Sequence, residues 1–296
     1  MMKRIGILLV TFVLATAVLS SIFWAKAALP LAETAVSQED THLYLPLVAK
    51  PSQPPQILSF TATVPIADPG DTITLSWKTS NATTVTLYHL FGGVLGTFWF
   101  VEPTGSMTYT ISSGSRNSES FALYASSDDF PYMSASLTVP LTCPFAWFFT
   151  PAPDVCAQDA VLLSASAEQQ FEHGVMIWVA EEDRIYVLFD DTMYTDGWNA
   201  YEDTWQDGDP IDDPFIVPPP GFYQPQRGFG LVWREQPQVR ERLGWALAFE
   251  VGGDTAVQRT SYFKYNHIYL KALDNNIWHL FPERSDWEKL IPEAVE

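Results

Sequence analysis

Residues Phe171–Phe189, FEHGVMIWVAEEDRIYVLF, return as Phe263–Phe281, FKYNHIYLKALDNNIWHLF, and this pair decides how the rest of the chain is read. The two stretches align over 19 positions at an offset of 92 without a gap, with identities at Phe171/Phe263, Ala180/Ala272, Ile185/Ile277, Leu188/Leu280 and Phe189/Phe281. Each is two short apolar runs around a polar tip, Glu181-Glu182-Asp183 in one and Asp274-Asn275-Asn276 in the other. That is the pattern of a β-hairpin with a short loop. No polar residue is identical between the copies, so the likeness describes a scaffold and carries no reaction.

Upstream, Lys3 and Arg4 precede an apolar run from Ile5 to Leu19, and Ala25-Lys26-Ala27 fits a small-x-small processing site, so residues 1–27 read as an export signal. The competing reading is an uncleaved anchor, because apolar character resumes at Ile22-Phe23-Trp24. Residues 28–56 lack periodicity and contain Pro46, Pro51, Pro54 and Pro55, the composition of a Pro-rich linker. Within it, His42-Leu43-Tyr44-Leu45-Pro46-Leu47-Val48 resembles a short segment that follows export signals in secreted bacterial proteins. No other stretch approaches the roughly 18 apolar residues of a membrane span. The expected location is secreted or cell-surface, and the roughly 270 residues left after processing suggest two domains. With 16 basic and 35 acidic residues and a net charge of −19, the chain repels phosphate backbones and anionic lipid, which argues against nucleic-acid and membrane-surface partners. Divalent cations and neutral glycans remain compatible. The two cysteines, Cys143 and Cys156, are expected to pair in an oxidising compartment. A thiol nucleophile or a metal pair is the sharper alternative, weakened by the absence of C-x-x-C spacing.

From Ile57 the pattern turns to period two, with strands expected at Ile57–Thr63, Thr72–Thr79, Thr84–Leu90, Thr97–Val101, Ser106–Ser112, Phe121–Ser126 and Ser134–Val139. Strands at this spacing predict an all-β sandwich over 57–140. The segments Ile57–Ala62, Pro69-Gly70-Asp71-Thr72-Ile73-Thr74-Leu75-Ser76-Trp77 and Ala82–Leu87 look like the bacterial immunoglobulin-like domains found as spacers in surface proteins. That resemblance implies a presenting role, with Trp77 filling the core in place of the disulfide usual in antibody domains.

Residues 143–296 hold eight of the eleven tryptophans and read as a second, Trp-rich β domain built on the two duplicated hairpins, with short helices. Gln236–Leu243 has Pro237 near its start and Gly244 just past its end, the helix-terminus asymmetry. A last helix is expected from Ser285, where Ser285 and Glu288 have capping-box spacing. Between the hairpins, Asp190–Gly230 forms a long acidic and aromatic connection, of the kind that is usually functional or disordered. Leu243-Gly244-Trp245, Glu250, Gln258, Phe263 and Ile268-Tyr269 are similar to the LGFP repeat of bacterial envelope proteins, and over 161–281 a first copy keeps Glu168, Gln169, Phe171, Gly174, Ile177 and Trp178. Ala246 stands where that pattern expects proline, and the first copy lacks the Leu-Gly turn. The resemblance implies association with cell wall or extracellular polymer and supplies no catalytic residue.

No H-E-x-x-H, G-x-S-x-G, Walker loop or G-x-G-x-x-G occurs, and the five histidines form no metal-spaced pair. Paired carboxylates in the connection could act as acid and base on a glycoside, and their oxygens admit Ca²⁺, although Asp207-Gly208-Asp209 followed by Asp212 and Asp213 is not the calcium-loop pattern. No other cofactor is expected. Sugars offer apolar CH faces and hydroxyl rims, which an aromatic plate flanked by carboxylate acceptors recognises. The expected function is therefore non-catalytic binding of cell wall or glycan through Trp198, Trp205 and Trp233, placed among Gly, Asp and Pro in loops, with Asp203 and Asp207 beside them. A carboxylate-dependent glycoside hydrolase and a purely structural surface protein are the alternatives.

Overall fold

The computed structural model describes residues 53–191 and 193–293; residues 1–27, read as an export signal, and most of the expected linker, with its His42–Val48 segment, lie outside them. The protein is mainly β. Seven strands come first: β1 (Gln56–Ala62), β2 (Thr72–Ser80), β3 (Thr84–Phe91), β4 (Val94–Val101), β5 (Thr104–Thr110), β6 (Ser118–Ser127) and β7 (Phe130–Pro140). They make a three-stranded sheet, β1-β2-β5, and a four-stranded sheet, β4-β3-β6-β7. Every second residue points inward, the period of the pleat: Ile73, Leu75 and Trp77 of β2 meet Val85 and Leu87 of β3 and Phe121, Leu123 and Ala125 of β6 in one core. The Trp77 indole N–H donates to the Glu102 carbonyl at 2.8 Å, so its one polar atom is satisfied inside that core. All seven expected strands are present, with ends moved by a few residues.

The remaining strands form a single sheet in the order β11-β10-β9-β8-β12-β13-β14-β15. These are β8 (Leu162–Phe171), β9 (Gly174–Val179), β10 (Arg184–Phe189), β11 (Trp198–Glu202), β12 (Val251–Arg259), β13 (Ile268–Lys271), β14 (Ile277–Leu280) and β15 (Trp287–Leu290). Two four-stranded meanders thus lie side by side, joined where β8 pairs antiparallel with β12. The sheet curls into a near-barrel filled by Val175, Ile177, Tyr186, Leu188, Trp198, Val257, Leu270, Trp278 and Leu280. Its outer face is covered in two ways. Helices α1 (Arg227–Glu235) and α2 (Pro237–Leu243) press Phe229, Val232, Trp233, Val239 and Leu243 onto Met176, Ile185 and Val187. The segment that follows Cys143 lays Trp147, Phe148 and Phe149 onto Tyr269 and Ile277.

Both sequence-similar stretches are antiparallel hairpins of this sheet, but their gap-free alignment needs correcting. Trp178 pairs with Ile185 in the first, whereas Lys271 pairs with Ile277 in the second, where the offset of 92 requires Leu270. A one-residue slip exchanges the faces of a strand. Val175, Ile177 and Val179 of the first hairpin face the interior, while in the second Ile268, Leu270 and Ala272 do so; the second strands keep their faces, with Tyr186 and Leu188 matching Trp278 and Leu280. The turns are conserved in form: Asp183 N–H donates to Ala180 and Asn275 N–H to Ala272, both at 3.0 Å, and Asp183 and Asn275 are left-handed with φ 51° and 65°.

Two further expectations change. The expected helix at Ser285 is a short 3₁₀ turn, Pro282–Arg284, followed by strand β15, because Trp287 is drawn onto the interior cluster and β15 completes the second meander. Helix α1 has no counterpart in the sequence reading, which placed its first residues in an irregular connection; Gly228 and Gly230 masked it.

The two groups of sheets are laced together by short polar bonds. Asn117 donates through Nδ2 to the Ser261 carbonyl and hydroxyl, both at 3.1 Å, and accepts from the Cys156 N–H at 2.8 Å; Arg116 Nε donates to the Gln158 carbonyl at 3.1 Å. Cys143 and Cys156 stand at disulfide distance in this seam, with a sequence separation of 13. Replacing both by serine is expected to lower unfolding free energy by about 3 kcal/mol, the loop-closure value for such a span; urea unfolding of the variant beside the parent, each under oxidising and reducing conditions, measures it, and only the parent should respond to reductant.

Candidate functional site

The connection after β11 runs over the outer face of the first meander and leaves a cavity of about 230 Å³ beneath it. Its walls come from three places: Ala167, Trp178 and Ile185 on β8, β9 and β10; Asp203 and Trp205 just after β11; and Arg227, Gly228, Phe229 and Glu250 around the start of α1. Asp203 is held by its N–H donating to the Asp183 carbonyl at 3.0 Å, which ties it to the hairpin tip, while its Oδ1 accepts from the Trp205 N–H at 3.2 Å. Trp205 is partly exposed, and its indole N–H reaches the Pro210 carbonyl at 3.3 Å, standing the ring up as a wall. Gly228 packs against the Asp203 carboxyl, where a Cβ would come within 2.3 Å of Oδ1, so only glycine lets the helix start so close.

The two carboxyl groups of the cavity have different surroundings. Burial pushes the Asp203 carboxyl above its ordinary range, opposed by the hydrogen bond from Trp205 N–H and reinforced by nearby Asp183. The Trp178 indole N–H is buried and makes no hydrogen bond of normal geometry, although it lies near enough to Asp203 to favour the ionised form slightly. Glu250 is ion-paired with Arg227 Nη1 at the rim. The site therefore combines two indoles, one carboxyl whose pKa burial raises and one carboxylate beside a cation. Its volume lies just under the range of drug-sized pockets, which suits one ring-sized group.

The expected site residues separate on this surface. Asp203 and Trp205 meet in the cavity. Trp198 does not sit in a loop: it opens β11, 7 % exposed, inside the near-barrel, with its N–H donating to the Phe281 carbonyl at 2.9 Å. Trp233 is on α1, 1 % exposed, with its N–H on the Gly244 carbonyl at 2.8 Å and the Arg240 guanidinium over its ring. Trp233 faces an apolar cluster that needs its area, and Trp198, packed in the interior cluster, borders open space only at a separate cavity shared with Arg184 and Arg259, so neither joins Trp205. Asp207 is exposed outside the cavity walls. Asp209 and Asp213 close local turns by accepting from Gln206 N–H and Phe215 N–H, and among the described residues no three His, Cys, Asp or Glu side chains converge as a metal site. Sequence reasoning used Trp178 and Glu250 as residues of the repeat resemblance and singled out neither Arg227 nor Gly228; Arg227, at φ 49° as the first residue of α1, gave no sequence signal.

A larger cavity, about 770 Å³, opens between the turn after β3, the loop after β5 and residues 261–263. Two of its titratable groups are spent on one another: His89 and Ser115 both bond the Glu119 carboxylate, and His89 and Glu119 are each 5 % exposed. Comparison with family models, with curated proteins and with solved structures gives no match to this chain.

Two outcomes follow from this geometry. Trp233→Ala should cost about 3–5 kcal/mol as a filled core position, and Trp205→Ala under about 1 kcal/mol as a partly exposed wall, read as a difference in urea midpoints. Because the folded-state pKa of Asp203 is raised, its protonated form contributes stability that is fully present below the ordinary carboxylate pKa and lost as pH rises through the folded value. Asp203→Asn should accordingly be at least as stable as the parent at pH 7, with that advantage shrinking as pH falls toward about 4 and gone below it; equal pH profiles for the two proteins would contradict the assignment.

Proposed function

We propose that this chain is a non-catalytic, exported cell-envelope or extracellular protein that binds cell-wall polymer or extracellular glycan through its Trp-rich C-terminal sheet. In this reading residues 57–140 are an immunoglobulin-like sandwich acting as a spacer, and residues 143–296 are the binding domain. The strand orders β1-β2-β5 and β4-β3-β6-β7, with Trp77 between them, support the first assignment. The observation that carries the second is the cavity where Trp205 and Trp178 stand with the carboxyls of Asp203 and Glu250 at its edge. A pyranose ring brings a CH face for an indole and hydroxyls that donate to carboxylates. The chain's net charge of −19 supports a neutral ligand and disfavours nucleic acid and anionic membrane.

A second reading, carboxylate-dependent glycoside hydrolysis, draws on one observation: two carboxyl groups line the same cavity, Asp203 with its pKa raised by burial and Glu250 paired with Arg227, and glycosidases work with two carboxyls in unlike surroundings. Retention on insoluble peptidoglycan and isothermal titration with a panel of neutral oligosaccharides test binding, and reducing-end release from the same panel tests turnover. Binding should fall at least tenfold in Trp205→Ala with no product from the parent. Product abolished by Asp203→Asn would favour the hydrolase, and retention equal in parent and Trp205→Ala would remove this cavity from both readings, leaving a purely structural surface role.

A further inference from the structure

The opening at one end of the near-barrel is lined by three of the protein's nine arginines, Arg184 at the start of β10, Arg259 at the end of β12 and Arg284 in the turn before β15. They surround a cavity of about 530 Å³ with Tyr186 and Trp198 among its walls and Glu182 as its one carboxylate. In a chain of net charge −19 this is an inversion of the prevailing field. It is also an uncompensated one. Glu182 is already committed: its Oε1 lies 2.7 Å from Arg259 Nη2, and its Oε2 accepts from the Tyr186 hydroxyl at 2.5 Å, which in turn accepts from Arg259 Nη2 at 3.0 Å. Arg184 and Arg284 have no ion-pair partner among the described residues, although Glu202 faces Arg184 across the ladder. Of the other arginines of the C-terminal sheet and its helices, Arg227 and Arg242 each have a carboxylate, while Arg234 and Arg240 have no ion pair among the described residues and Arg240 lies over the Trp233 ring.

The placement of these cations is fixed by the fold. The Glu182–Tyr186–Arg259 triangle immobilises one guanidinium, and burial raises the Tyr186 pKa so that its hydroxyl keeps the proton it donates. Arg284 is held by backbone: Glu283 and Arg284 are consecutive left-handed residues at φ 57° and 62°, and the Arg284 carbonyl accepts from Gly197 N–H at 2.8 Å. Two non-glycine residues in that region are costly unless the surroundings demand them, and such strain collects at ligand sites.

We propose that this barrel mouth binds a small oxyanion-bearing ligand, about the size of an acidic monosaccharide, with Arg184 and Arg284 closing on the oxyanion and Arg259 as the fixed third cation. Guanidinium forks match the paired oxygens of carboxylate, sulfate or phosphate, and a preordered one loses little entropy on binding. These residues are not those of the Trp205 cavity, so the outcome here stands apart from the proposal above.

Titration calorimetry on the full chain at low ionic strength tests it, with glucuronate, glucose 6-phosphate, inorganic sulfate and glucose as probes. The oxyanion probes should bind saturably, at least tenfold more tightly than glucose, and weaken as sodium chloride is raised; which of the three binds best identifies the oxyanion. Arg184→Gln with Arg284→Gln should lose at least tenfold, while the lysine pair at the same positions should recover part of it and Lys78→Gln, which removes an exposed cation on β2, should change nothing. Both arginines are exposed, so the glutamine pair should unfold at the parent's urea midpoint. Affinity for glucuronate no greater than for glucose, or binding undiminished in the glutamine pair, would overturn the assignment.

Discussion

Two indole N–H groups hold the second half of this protein in shape. Trp198 on β11 donates to the Phe281 carbonyl at 2.9 Å, and Trp287 on β15 donates to the Phe189 carbonyl at 2.8 Å. These strands are the two edges of the eight-stranded sheet, and no ladder joins them. An open edge of backbone donors and acceptors is a liability that a closed barrel removes. Here the closure is made by side chains reaching across the gap, assisted by Gly197 N–H on the Arg284 carbonyl at 2.8 Å. The tryptophans do double duty, since both rings also pack into the interior cluster. Curvature, filled interior and protected edges therefore depend on the same residues.

A sheet closed in this manner has a second apolar surface outside, and the chain covers it unequally. Over β8–β10 it sends two helices, anchored by Trp233 and Leu243; over β13 and β14 it sends an aromatic segment fastened by buried Gln258, whose side chain accepts from Phe148 N–H at 2.9 Å and donates to the Ala146 carbonyl at 3.0 Å. Different covers impose different polar residues on the two hairpins, which accounts for apolar likeness without polar identity. Glu168 links the meanders, accepting from Leu273 N–H at 3.0 Å and from the Trp278 indole at 3.1 Å. Gln258 and Glu168, which carry much of the resemblance to an envelope repeat, thus have structural work that explains their presence.

What was legible in the sequence was local periodicity. Alternation in Ile73–Trp77 or Phe121–Ala125 reports a pleated strand with one buried face, and both behave so. Pro237 and Gly244 bracketed α2 because each is a backbone constraint readable from the residue alone. Register was not legible, because Val175–Val179 is apolar on both faces and a continuous apolar run does not say which residues point inward. Nor was the fate of each tryptophan. Trp198 and Trp233 sit in similar company to Trp205 along the chain, yet closure of the sheet claims the first and helix packing the second. The cavity around Trp205 is assembled from β9, β10, the post-β11 segment and the start of α1, so no window of sequence contains it.

The junction between the two groups of sheets bears on what a presenting role would demand. A spacer that sets the position of a binding surface must transmit that position, and a free linker of Gly and Ser would not. Here the crossing from Pro140 to Leu162 is short on regular structure but rich in fixed points: the Cys143–Cys156 pair, Asn117 bonding three backbone or hydroxyl groups, and Arg116 bonding the Gln158 carbonyl. Asn117 is itself left-handed at φ 65°, a conformation asparagine tolerates better than most residues. Polar bonds of this kind each contribute only about 1 kcal/mol net, so their role is to fix geometry more than to add stability. The same residues therefore limit how far the eight-stranded sheet can swing against β5 and β6, and any load carried by the N-terminal sheets reaches the cavities through them.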